Sequence, residues 1–91
     1  MLNIEKDLNC LIDDAIEESK LYLDMYNNKL KDYKEKLKTL EENKDKFIDN
    51  YSVFKYEEER NEYLNAIKKY KAEIKHEKDS INRLLINKKN N

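Results

Sequence analysis

Glycine and proline are both missing from this 91-residue chain. Glycine is the residue that reaches left-handed backbone cheaply, and proline fixes turns and interrupts helices. Their absence argues against a multi-stranded sheet and excludes a phosphate-cradling loop, a dinucleotide fingerprint and a nucleophile elbow. Cysteine occurs once, at Cys10, so neither a disulfide framework nor a cysteine-based zinc site can form. Lying among Leu8, Leu11 and Ile12, that thiol is expected to be buried and inert. No stretch approaches the roughly 20 apolar residues of a membrane span. The opening residues, Met-Leu-Asn-Ile-Glu-Lys-Asp, lack the basic and apolar regions of a signal peptide. A soluble cytoplasmic (intracellular) protein with no membrane role is the expectation.

What the chain has instead is charge. Asp, Glu, Lys and Arg make up 43% of it, yet the formal net charge is only -1, so self-repulsion does not force disorder. Leu, Ile, Val and Phe together supply 22 positions, a lean core for a chain that must offset about 1–2 kcal/mol of backbone ordering per residue. Self-association, with a dimer as the simplest form, is the expected remedy. Lysine outnumbers arginine seventeen to two and asparagine occurs twelve times, the usage of an AT-rich coding sequence such as that of a low-GC bacterium, its phages, plasmids or other mobile elements, or an AT-rich eukaryote.

Apolar residues recur at alternating steps of four and three through Ile12, Ile16, Ser19, Leu23, Tyr26, Leu30, Tyr33, Leu37, Leu40, Lys44, Phe47, Tyr51 and Phe54. That spacing draws one seam along a helix. Ile4, Leu8, Leu11, Ala15, Tyr22 and Met25 widen the apolar face over the first 26 residues. A second seam, two positions out of phase, runs through Tyr56, Arg60, Tyr63, Ile67, Tyr70, Ile74, Glu77, Ile81 and Leu84. A phase jump of that size needs a break or a reversal. Asp49, Asn50 and Ser52 are residues that leave and cap helices. The predicted fold is therefore all-α, a single helical domain over 1–91: helix 1 over about 3–48, a turn over about 49–54, helix 2 over about 55–87, and a frayed polar tail to Asn91. Folded back, the long antiparallel helical hairpin pairs Leu40 with Tyr63, Leu30 with Ile74 and Lys44 with Arg60. The second arm is then shorter, and an overhang of about fifteen residues, beginning at Leu2 and Ile4, is left to dimerise into a bundle. A break near Asn27-Asn28, giving a three-helix bundle, is the alternative architecture.

No motif assigns a reaction, and the chain is read as a non-enzyme needing no cofactor or metal. Glu73-x-x-His76 has the i,i+3 spacing of di-iron helical bundles, but Ile74, Glu77 and Ile81 point inward and His76 outward, so a surface histidine is the better reading. Seven tyrosines include Tyr26 and Tyr33 seven apart, and Tyr56, Tyr63 and Tyr70 likewise. Their spacing follows the seam, so they are read as core filler ahead of a binding ridge. Residues 1–25 hold seven acids against two lysines, and residues 68–91 eight bases against three acids, which an antiparallel hairpin would lay side by side.

These observations suggest a protein-binding module, a small helical coiled-coil regulator, adaptor or inhibitor, with Leu8, Leu11, Ile12, Ile16, Tyr22 and Tyr26 as the partner or homodimer interface. The alternative is a nucleic-acid-associated protein using Lys68, Lys69, Lys71, Lys75, Lys78 and Arg83.

Overall fold

The computed structural model describes residues 4–90, and the side chains of residues 8–88. Two long helices, α1 (Ile4–Glu42) and α2 (Asn50–Asn90), lie antiparallel, joined by a short connection that contains a 3₁₀ turn at Lys44–Lys46. No strand occurs among the described residues. The molecule is a rod of 74 × 15 × 14 Å. Neither helix meets a breaker between its ends, and α1 continues through Asn27 and Asn28, both exposed, so the three-helix alternative is not adopted. Leu2 and the start of the expected overhang lie outside the described residues.

The second seam folds as its spacing implies, and the first does so from Ile12 to Leu40. Ile12, Ile16 and Leu40 of α1 and Tyr56, Ile67 and Ile74 of α2 are buried, and the residues between them on each seam are half-buried. The seam has two rows. Ile16, Leu23, Leu30, Leu37, Ile67, Ile74 and Ile81 form an aliphatic row; Tyr26, Tyr33, Phe47, Tyr56, Tyr63 and Tyr70 form an aromatic one. Each fully buried aliphatic side chain contributes about 1.5–3 kcal/mol, enough for a two-helix layer only because the rows run the whole length.

The reversal falls at residues 43–49, about six residues before its expected place. Asn43 ends α1: its side-chain amide donates to the Thr39 carbonyl at 2.8 Å, and its backbone N–H is shared between the Thr39 and Leu40 carbonyls, each at 3.2 Å. The 3₁₀ turn then tightens through Lys46 N–H to Asn43 O at 3.0 Å and Phe47 N–H to Lys44 O at 3.1 Å. No described residue has a positive φ, which is how the chain reverses without glycine. Asp49 opens α2. Its carboxylate accepts the Ser52 backbone N–H at 2.7 Å and the Ser52 hydroxyl at 2.9 Å. Asp49, Asn50 and Ser52 thus begin the second helix instead of leaving the first. Tyr51 and Phe54 accordingly belong to α2, outside the first seam.

The register moves with the turn. Glu41 pairs with Arg60 at 3.5 Å and Asp13 with Lys88 at 2.6 Å, fixing both ends of the rod. Lys44, expected opposite Arg60, sits exposed in the connection; a carboxylate takes that place and removes the like-charge clash. The second arm is not the shorter one: α2 has 41 residues against 39 in α1, and it stays helical to Asn90, past the expected end at 87. Residues 11–15 therefore run alongside α2 and are not an overhang.

The Ser52 hydrogen bonds hold the Asp49 carboxyl below its ordinary value of 3.8. A depressed carboxylate stabilises the fold above its unfolded value and loses that contribution as pH falls through the folded one. Thermal melts of wild type and Asp49→Asn should differ most above about pH 4 and converge at lower pH. A gap that is constant across that range would show that the cap does not titrate with folding.

Candidate functional site

An antiparallel pair is related by a two-fold axis perpendicular to the helices, so equivalent flanks of α1 and α2 share one side of the rod. One side is aromatic. Tyr22 stacks on Tyr26 with centroids 6.3 Å apart, Tyr26 meets Tyr70 at 6.0 Å, Tyr70 stacks on Tyr33 at 5.8 Å, and Tyr33 meets Tyr63 at 6.1 Å. Five rings therefore form a ladder crossing between the helices. Such contacts add about 0.5–1.5 kcal/mol each beyond area burial. Lys36 over Tyr33 and Lys69 over Tyr70 cover ring faces from outside, at 4.9 and 5.6 Å. Burial, then the charges of Glu73 and Glu77, raises the Tyr26 hydroxyl above its ordinary 10.0; burial, then Glu59 and Glu62, does the same for Tyr63. Both rings support the fold below that value, and the support is lost as pH climbs through the raised one. The seam tyrosines are filler between helices, while Tyr22 and Tyr51 are on the surface.

The residues expected to form an interface divide into two groups. Ile12 and Ile16 are buried against α2 and Tyr26 is half-buried in the ladder, so all three belong to the hairpin's own core. Leu8, Leu11 and Tyr22 are exposed, and Met25 continues their stripe along the aromatic side of α1. Cys10, expected to be buried, is exposed, because it points away from the seam that Asn9 and Ile12 occupy.

A second apolar surface was not legible as one in the sequence. At the tip, Ile48 is 86% exposed, Tyr51 70%, Phe54 62% and Val53 40%. Beneath them Phe47 packs on Tyr56 with centroids 5.2 Å apart. An open groove of about 720 Å³ lies there, walled by Phe47, Ile48, Val53 and Tyr56 and rimmed by Glu41, Lys44, Asp45, Glu57 and Arg60. An apolar floor with a charged rim is the anatomy of a protein-docking surface. The heptad spacing had carried Tyr51 and Phe54 into the first seam, which hid this cluster.

The basic residues of α2 also divide. Lys68, Lys71, Lys75 and Lys78 recur at steps of three and four on the side opposite the tyrosine ladder, whereas helical spacing puts Lys69 and Arg83 on the ladder's side. All six are exposed. Glu73 is half-buried beside Tyr26 and His76 is exposed. Among the described residues no three His, Cys, Asp or Glu side chains converge as metal ligands, and no helix is long and apolar enough to cross a membrane. No family model matches this chain, and neither the curated proteins nor the solved structures contain a match to it.

Proposed function

We propose that the hairpin is a non-catalytic binding module, a small regulator, adaptor or inhibitor that engages a partner protein through the tip of the rod. The observation that carries this reading is the cluster of Ile48, Tyr51, Val53 and Phe54, exposed together within seven residues of a chain whose core is lean. Large apolar side chains gathered at one end of a stiff rod reach a partner's cleft at little conformational cost, and aromatic anchors are the residues that most often dominate such interfaces. The Asp49 cap and the Phe47–Tyr56 contact hold the cluster in place before binding.

The stripe of Leu8, Leu11, Tyr22 and Met25 at the other end supports self-association into a dimer, which would cover it and leave both tips free. An exposed lone thiol at Cys10 suits a reducing, cytoplasmic compartment.

Affinity capture from native host extract tests the tip. The wild type should retain a partner that Ile48→Ser/Tyr51→Ser/Phe54→Ser does not, with helix content equal in both. Equal capture by the two proteins, or none by either, would remove the tip from the mechanism.

A further inference from the structure

On the side of the rod opposite the tyrosine ladder, the two helices together build a lysine face. Lys68, Lys71, Lys75 and Lys78 come from α2, and the same flank of α1 presents Lys20, Lys31, Lys34 and Lys38. The Glu41–Arg60 and Asp13–Lys88 pairs fix the register. It puts Lys68 level with about residue 33 of α1 and Lys78 level with about residue 23. The α2 row therefore runs beside α1 for about 15 Å, and Lys20, Lys34 and Lys38 extend the face to about 27 Å, the rise of α1 between Lys20 and Lys38. All eight side chains are exposed. Lys20 alone among them makes an ion pair within the described residues, to Glu17 at 3.7 Å.

The bland reading is a solvated helix surface. Its distribution of charge argues otherwise. The acids among these eight lysines are Asp24 and Glu35, with Glu17 beside Lys20 at one end, whereas on the ladder side Lys29, Lys36, Lys69 and Arg83 are interspersed with Glu18, Asp32, Glu59, Glu62 and Glu73. In a chain of net charge -1, positive charge has been sorted onto one face. Lysines three or four residues apart on one helix, as in Lys31–Lys34–Lys38 and Lys68–Lys71–Lys75–Lys78, are neighbours within the roughly 10 Å screening length and repel one another, a cost that an anion laid across them relieves.

We infer that this face binds the phosphate backbone of duplex nucleic acid, without reading sequence. Four observations select that occupant. The groove along α1 on this face, lined by Asn27, Leu30, Lys31, Lys34, Glu35 and Lys38, is open, so it does not enclose a small phosphorylated molecule. The rings that stack on unpaired bases are all on the ladder side or at the tip, which disfavours single strands. Arginine, the usual reader of guanine edges, is absent from the face. Exposed apolar residues lie beside it only at Leu64 and, towards one end, at Leu21, Leu85 and Ile86, so its centre lacks both the core of a protein interface and the greasy face of a membrane-surface helix. This inference is independent of the apolar surfaces at the two ends.

Fluorescence anisotropy of the full chain with a labelled duplex long enough to span the rod tests it. If about six phosphates are contacted, affinity falls about a thousand-fold between 50 and 200 mM salt. The variant Lys31→Glu/Lys34→Glu/Lys71→Glu/Lys75→Glu should bind at least about a hundred-fold more weakly than wild type at 50 mM salt. Lys29→Glu/Lys36→Glu/Lys69→Glu/Arg83→Glu has the same net charge and should retain affinity within about ten-fold. Circular dichroism confirms folding, and glutamine in place of glutamate serves if a charge reversal unfolds the rod. Absence of binding by wild type at 50 mM salt, or equal losses in both variants, overturns the inference. Competition by a polyglutamate peptide as effective as that by unlabelled duplex overturns it in favour of an acidic protein.

Discussion

Serine at Leu8, Leu11 and Tyr22 is expected to halve the particle mass in solution while leaving helix content unchanged. The three side chains are exposed along one flank of α1 with Met25, and none of them closes the seam against α2. Removing them takes apolar area from a contact between molecules and leaves the aliphatic row inside each hairpin intact. A fully covered leucine contributes about 1.5–3 kcal/mol, so three substitutions at a two-fold interface, each counted twice, exceed the stability of most small dimers. Ile12 and Ile16 must be left out of this set. Both are buried within the hairpin, and polar residues there would unfold the chain instead of separating two folded copies. Light scattering across a concentration series reads the result. A wild type that is already monomeric, or a variant of unchanged mass and unchanged circular dichroism, rejects the stripe as the dimer contact.

The largest effect on stability should come from Ile67→Ala/Ile74→Ala. Both side chains are buried on the aliphatic row, one heptad apart, and about 10 Å of helix separates them. Each truncation costs about 2–5 kcal/mol, and sites that far apart add. The combined loss is comparable to the whole stability of a chain this size, about 5–14 kcal/mol. The double variant is therefore expected to lose most of its helical signal at room temperature at the same protein concentration as wild type. Alanine at Ile86, 57% exposed, serves as the control and should shift the melt little. If the double variant melts with the control, the aliphatic row does not carry the fold.

Much of the architecture was legible beforehand. The second seam, from Tyr56 to Leu84, is buried or half-buried at every position, and the first holds from Ile12 to Leu40. Three-four spacing is a direct consequence of helical geometry, and nothing in this composition competes with it. The turn was less legible because periodicity does not stop where a helix does. Phe47, Tyr51 and Phe54 extend the apolar rhythm, yet Asn43 had already ended α1 through a side-chain hydrogen bond to Thr39. Asp49 and Ser52 read equally well as exit or entry, since the same residue types cap helices and form turns. Only the direction of their hydrogen bonds settles the matter.

That ambiguity of a few residues had functional consequences. Moving the reversal from 49–54 to 43–49 brought Tyr51 and Phe54 out of an assumed core and onto the tip beside Ile48. It also shifted the register, which placed Glu41 against Arg60 and drew Ile12 and Ile16 into the hairpin. The basic arm was visible as a run of residues, but its division between two sides of the rod, and its completion by Lys20, Lys31, Lys34 and Lys38, depend on how the helices pair.

The residue order by itself determined the two helices, their antiparallel return and which residues line each seam away from the turn, because these follow from the 3.6-residue period and the lack of helix breakers. The tertiary structure decided the register, the composition of each side and which apolar residues stay uncovered. Those depend on how two surfaces meet across space, and a one-dimensional period carries no information about the partner opposite.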